Sequence, residues 1–200
     1  MELYQYSSYE EYVEAQERGN RKKLKSHSGT GPEVIAEVRR RIRTAENILC
    51  HGTRGGQEQK HFLAAYPDAY VIGTEISSTA KGVPMTEHWD FSHVKDEWVG
   101  KFDIIYSNAF DHSITPEETF NTWIDQLNEG GSLVLEMHIA GPGWEPTPMD
   151  PLSYHRKDIV ELVEKLGYRI TDEWPSPAFT DHRGRFSHYA HGRPTVRIQK

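Results

Sequence analysis

From residue 47 to about residue 173, short apolar runs alternate with longer stretches in which apolar positions recur every three or four residues. The first pattern marks buried strands and the second amphipathic helices. Residues 47–50 form an apolar run that ends in glycines, brief enough for a buried parallel strand. A helix over 57–66 stops at Pro67, and a second strand covers 69–76 and carries Glu75 at its end. A short third strand is expected near 83–85 and a fourth over 102–106. A helix then opens at Thr115, with Pro116 in its first position and Glu118 completing a capping box. Phe120, Trp123, Ile124 and Leu127 form its buried face, and Gly130-Gly131 end it before a strand over 132–137. A helix over 154–166 closes at Gly167, a strand over 168–173 follows, and a last strand over 195–198 closes a hairpin.

Two helices precede this series. Ser8-Tyr9-Glu10-Glu11 is a capping box for the first, which places Tyr9, Tyr12, Val13 and Gln16 on one face. Its simplest reading is a surface helix. The second begins at Pro32 and carries the stripe Val34, Ile35, Val38 and Ile42. The order of elements predicts an α/β protein with a Rossmann-like three-layer sandwich. Its sheet is mostly parallel, seven-stranded or slightly reduced, with a C-terminal antiparallel strand. Residues 1–31 read as a cap helix and linker, and 32–200 as the ligand-binding domain.

Composition narrows the function. The formal charge of −7 argues against nucleic acid, whose phosphates call for a basic face. No apolar run approaches the ~20 residues of a membrane span, and residues 1–8 lack the order of a signal peptide. With Cys50 as its single cysteine the chain can form no internal disulfide, which fits a cytoplasmic protein; a monomer or homodimer is expected. His182, His188 and His191 share a loop with Asp181, but their spacing is not a metal pattern, and no metal is expected.

Ligands of open α/β sheets bind at the carboxyl ends of the strands. There the chain places Cys50-His51-Gly52-Thr53-Arg54-Gly55-Gly56-Gln57, a glycine-rich turn that runs into a helix N-terminus. Glu75 follows about twenty residues later, where an acid can accept both hydroxyls of a ribose. Together they indicate a nucleoside ligand. The dinucleotide pattern Gly-x-Gly-x-x-Gly fails at Arg54 and Gln57, although an NAD(P)-binding protein stays open as an alternative.

Three further segments complete the pattern: Glu87-His88-Trp89-Asp90-Phe91, the run from Phe102 through Ser107-Asn108-Ala109-Phe110-Asp111-His112, and Asn128-Glu129-Gly130-Gly131 before a strand. Over roughly residues 47–175 the series resembles class I S-adenosylmethionine (SAM)-dependent methyltransferases, in particular the branch that acts on small molecules. The resemblance implies a SAM cofactor and a small-molecule acceptor. It implies that His51, Gly52, Thr53, Gly55 and Gly56 hold the methionine part, that Glu75 holds the ribose, and that Ile76 packs on the adenine. Asp90 would accept from the adenine amino group, with Phe91 donating its backbone N–H. Ser107, Asn108 and Ala109 would lie beside the methionine moiety. His112 is the first candidate for a general base, ahead of Glu136 and His138, with Asp111 orienting it or capping the local turn. Two positions depart from the family pattern. Cys50 stands where an acid is usual and Arg54 where the middle glycine is usual, so a non-catalytic binding protein is a further alternative. The piece between Glu75 and Asp90 is short, and one helix of the usual fold is expected to be missing.

Overall fold

A computed structural model describes residues 1–24, 29–139, 141, 143–181, 184, 186–187 and 192–200. Seven strands form the central sheet: β1 Asn47–His51, β2 Tyr70–Glu75, β3 Thr86–His88, β4 Phe102–Ser107, β5 Leu127–Glu136, β6 Arg169–Pro175 and β7 Pro194–Gln199. Their spatial order is β3-β2-β1-β4-β5-β7-β6. The pairs from β3 through β5 are parallel, and β7 runs antiparallel to both its neighbours. The predicted mostly parallel sheet with an antiparallel C-terminal strand is thus observed. Two short antiparallel pairs lie outside it, Glu2–Leu3 with Leu152–Ser153 and Phe179–Thr180 with Phe186–Ser187.

Strict alternation along the strands sends side chains into two apolar layers. Ile48, Cys50, Ile104, Tyr106 and Val134 face helices α2 (Pro32–Arg41) and α3 (Gln57–Ala65), meeting Val34, Ile35, Val38 and Phe62. Leu49, Ile105, Leu133 and Leu135 face α4 (Pro116–Gln126) and α5 (Arg156–Lys165), meeting Phe120, Trp123, Ile124, Ile159 and Val163. Each fully buried side chain of this size contributes ~1.5–3 kcal/mol, which makes these layers the main source of stability. No helix among the described residues is long and apolar enough to cross a membrane.

Four local expectations are corrected. The third strand is Thr86–His88 rather than 83–85: Met85 has a left-handed φ of 55° and turns the chain into the edge strand. Thr115 makes no side-chain cap on α4; Ser113 Oγ accepts the Thr115 N–H instead. The helix ends at Gln126, and Leu127 already pairs with Phe102, so Gly130-Gly131 sit inside the long strand β5. A Cβ on Gly131 would lie 2.7 Å from the Phe102 carbonyl oxygen, which explains the glycine there. At the first helix, α1 (Tyr9–Lys23), Ser8 accepts from the Glu11 N–H as expected, but the Glu11 carboxylate reaches back to Ser7. Between β2 and β3 the chain makes a single 3-10 turn, Ser78–Gly82, in place of a full helix.

Candidate functional site

Strand order reverses between β1 and β4, and the loops leaving these strands flank the site. After β1, Gly52 and Gly56 take φ values of 72° and 71°, and Arg54 takes 44°. Arg54 therefore adopts the left-handed turn without glycine's freedom, a strained choice for a long side chain. The loop is pinned to β2. Thr53 N–H donates to the Thr74 carbonyl at 3.0 Å, and Arg54 N–H donates to Glu75 Oε2 at 2.8 Å. Gly52 permits a close approach to the loop after β4, because a Cβ there would lie 2.5 Å from Ala109 Cβ.

Glu75 is 7 % exposed, and its Oε1 accepts the Ser77 N–H at 2.9 Å. Burial pushes its carboxyl up, against the pull of the Ser77 and Arg54 amides and the Arg54 charge. One backbone donor on each oxygen leaves lone pairs for further donors, the pairing a vicinal diol supplies. Beneath α1 a cavity of about 50 Å³ is lined by Tyr12, Gln16, Glu75, Ile76, Phe91 and His112. Through Gly52, Arg54, Ala109 and His112 it adjoins a cleft of about 770 Å³. That cleft is lined also by Thr53, Gly55, Glu58, Asn108, Asp111, His138 and Asp150.

The sites expected from sequence thus divide. Gly52, Thr53, Gly55, Glu75, Ile76, Phe91, Asn108, Ala109, Asp111 and His112 line one or other space. Gly56 instead ends the loop as the N-cap of α3. Ser107 is buried and clamps the strand ends, donating to the His51 carbonyl and accepting from the Ala109 N–H. The His51 side chain lies in the core. Its ring nitrogens sit 3.0 Å from Thr74 Oγ1 and 2.9 Å from Gln126 Oε1, and it stacks on Trp123. Burial pulls its pKa down to about 3, which keeps it neutral. The loop of His182, His188 and His191 lies outside the described residues.

Asp90 is buried, with Oδ1 accepting the Ser92 N–H at 2.8 Å and Oδ2 accepting the Tyr9 hydroxyl at 2.7 Å. An adenine amino group on Asp90 would compete with that hydroxyl. Tyr9→Phe is expected to tighten binding of an adenosine ligand by about fivefold, the effect of one hydrogen bond of ~1 kcal/mol. Calorimetric titration reads this directly, and a variant that binds more weakly would show Tyr9 to be a ligand donor instead.

Helix α1 packs over the cavity with one face buried, rather than lying on the surface as in the simplest reading. Tyr12, Ala15, Gln16, Gly19 and Asn20 are buried. Tyr12 donates to the His112 carbonyl at 3.1 Å, Glu17 accepts from the Ser78 N–H at 2.7 Å, and Thr79 donates to Asn20 at 2.8 Å. Gln16 Oε1 lies 2.9 Å from His112 Nδ1. An amide oxygen only accepts, so Nδ1 carries the proton and Nε2 of neutral His112 is left with its lone pair. Nε2 lies 3.8 Å from Asp150 Oδ1. Asp111 turns away to His138, with Oδ2 at 2.9 Å from Nδ1, so Gln16 is the group that orients His112. Asp111, His112 and Asp150 bring donor atoms within 4.8 Å of one another. Sequence reasoning missed Glu58, Met149 and Asp150, which lack any local pattern.

Glu136 lines neither space. It is 1 % exposed, accepts from Tyr106 at 3.1 Å and has Arg193 3.9 Å away. Burial pushes its carboxyl up to about 7 from an ordinary 4.5. The folded chain therefore holds a proton that the unfolded chain releases between pH 4.5 and about 7, and stability is lost as pH rises through that window. Glu136→Gln is expected to raise Tm relative to the parent more at pH 8 than at pH 5.5, read by thermal unfolding at both values.

Neither a protein-family model nor a curated protein matches the sequence. Solved structures do match. The Burkholderia thailandensis 1,6-didemethyltoxoflavin-N1-methyltransferase, with its acceptor and S-adenosylhomocysteine (SAH) bound, superposes with a TM-score of 0.69 at 12 % identity, over 98 % of this chain and 91 % of that one. A SAM-dependent methyltransferase from Aquifex aeolicus gives 0.57 at 11 % identity, over 94 % and 97 %. The [4+2]-cyclase SpnF gives 0.55 at 14 % identity, over 74 % and 63 %. The chain shares the fold of these solved structures. The cyclase among its neighbours shows that this fold alone does not fix a reaction.

Proposed function

We propose that the protein is a SAM-dependent methyltransferase acting on a small molecule. The observation that carries the reading is Glu75, a buried carboxylate at the end of β2, bonded to the glycine-rich loop by Arg54 N–H and lining the cavity beside Ile76 and Phe91. On this reading Glu75 takes the ribose hydroxyls, Ile76 and Phe91 bracket the adenine, and Asp90 exchanges Tyr9 for the adenine amino group. The cavity of about 50 Å³ under α1 is far below the ~300 Å³ at which ligand pockets begin, so α1 side chains give way when the nucleoside enters. Gly52, Thr53, Gly55, Asn108 and Ala109 border the cleft that receives the amino-acid end.

The SAM sulfonium supplies an activated methyl group, so the protein's task is to hold donor and acceptor in line. His112, with Nε2 free and its ring oriented by Gln16, is the group that takes a proton from a hydroxyl or amine acceptor. Asp111 holds His138 at the same rim. The mixed charge of the cleft, with Arg54 and Lys60 beside Glu58, Asp111 and Asp150, suits a polar small molecule. Incubation with methyl-labelled SAM and a panel of hydroxyl, amine and carbon acceptors tests this. Label transfer to at least one acceptor is expected. SAM binding without transfer to any would favour the non-catalytic alternative.

A further inference from the structure

The cleft contains a second buried carboxylate. Glu58 is the second residue of α3, immediately beyond the glycine-rich loop, and it lines the cleft beside Thr53, Gly55 and Asn108. It is only 5 % exposed. Its Oε1 accepts one long hydrogen bond, from Asn108 Nδ2 at 3.4 Å, and its Oε2 has no partner at all. No ion pair to Glu58 is formed among the described residues. A carboxylate buried with an empty oxygen is costly, and where it also lines an open cleft, as Glu58 does, a ligand can complete it. Burial pushes this one up to about 7, against its own amide, the Arg54 charge and Asn108, with Glu75 adding to the rise. What the site lacks is a compact cation with several N–H donors.

Two other acids, Asp111 and Asp150, border the same cleft. Asp111 Oδ2 is bonded to His138, and although Oδ1 has no partner and burial opposes the charge, neighbouring His112, His138 and Arg193 hold this carboxyl below its ordinary range; Asp150 Oδ1 lies 3.8 Å from Lys23 Nζ. Cys50, at the end of β1, is fully buried in the apolar layer with its thiol pushed up by burial, and it offers no charge. Glu75 and Glu58 therefore stand on the two flanks of one loop. A ligand that is a nucleoside at one end and an amino acid at the other meets a carboxylate at each.

We propose that Glu58 binds the ammonium group at the amino-acid end of the cofactor, an inference that rests on the reading of the cleft as a SAM site. An ammonium carries three donors, enough to satisfy Oε2 and strengthen the weak contact on Oε1. Asn108 then serves as the neighbour that shares Glu58 with the ligand.

Calorimetry with two ligands tests this. SAH carries the amino-acid end, whereas 5′-methylthioadenosine keeps the nucleoside and thioether without it. Glu58→Gln is nearly isosteric and is expected to weaken SAH by about tenfold or more while leaving 5′-methylthioadenosine within about twofold. Glu58→Asp, which keeps the charge, is expected to retain more SAH affinity than Glu58→Gln. Unchanged SAH affinity in Glu58→Gln, or equal losses for both ligands, would overturn the assignment of Glu58 while leaving the cofactor reading standing. A parent protein that binds neither compound would overturn the cofactor reading and this inference with it.

Discussion

Glu75→Ala is expected to weaken SAH binding by more than about a hundredfold, the loss of two hydrogen bonds to a charged acceptor at ~1.5–3 kcal/mol each. Both Glu75 oxygens already hold the site's backbone, one at Arg54 and one at Ser77, so the carboxylate is fixed before a ligand arrives. Preorganisation of this kind removes the entropy cost of ordering the acceptor on binding. Alanine removes the acceptor and frees the Arg54 N–H from its partner, so the loop and the ribose lose their shared anchor together. The fold itself should survive, because burial already works against the charged form of this side chain. A cooperative thermal transition in the variant, alongside lost binding, separates the two effects. A Glu75→Ala protein that binds SAH within about threefold of the parent would place the ribose elsewhere.

His112→Gln is expected to lower kcat by about a hundredfold to ten-thousandfold for a hydroxyl acceptor, the usual range for a lost general base. SAH affinity should change far less than kcat, since His112 borders the cavity but its Nε2 acts on the acceptor. Glutamine fills much of the same volume beneath Tyr12 and beside Gln16, but carries no group that takes a proton near neutrality. Steady-state rates with an identified acceptor, set beside calorimetry, give the split between kcat and binding. A kcat within about threefold of the parent would show that the acceptor loses its proton to another group.

The sheet was legible because its strands are short apolar runs buried on both faces, as in residues 47–50 and 102–106. Glu75 and the glycine-rich loop were legible because strand ends in this architecture lie where ligands bind. Other features left weaker traces. The edge strand Thr86–His88 is half-exposed and polar, so its periodicity is no guide. Gly130-Gly131 look like a helix stop, but the helix has already ended where Leu127 begins to pair with Phe102. His51 reads as a pocket residue from its place after β1, yet its ring turns inward because Thr74 and Gln126 supply hydrogen-bond partners there.

The burial of α1 was hidden for a different reason. Its buried face is built from Tyr12, Gln16, Gly19 and Asn20, which carry little apolar signal. Gly19 is small because Met149 packs against it, where a Cβ would lie 3.1 Å from Met149 Cε. Met149 and Asp150 reach the site through the pairing of Glu2–Leu3 with Leu152–Ser153, a contact between distant segments that no local pattern encodes. Glu58 was invisible for another reason. A glutamate in the first turn of a helix reads as an ordinary dipole partner, and only its burial and its empty oxygen set it apart.

The glycine-rich loop keeps its central place, with Arg54 in the left-handed region and its N–H on Glu75. Titration of the parent protein with SAH and, in parallel, with NAD(H) and NADP(H) in a calorimeter tests the central claim most directly. Saturable one-to-one binding of SAH, with no binding of the dinucleotides, is expected. Binding of a dinucleotide, with no SAH binding at millimolar concentration, would contradict it.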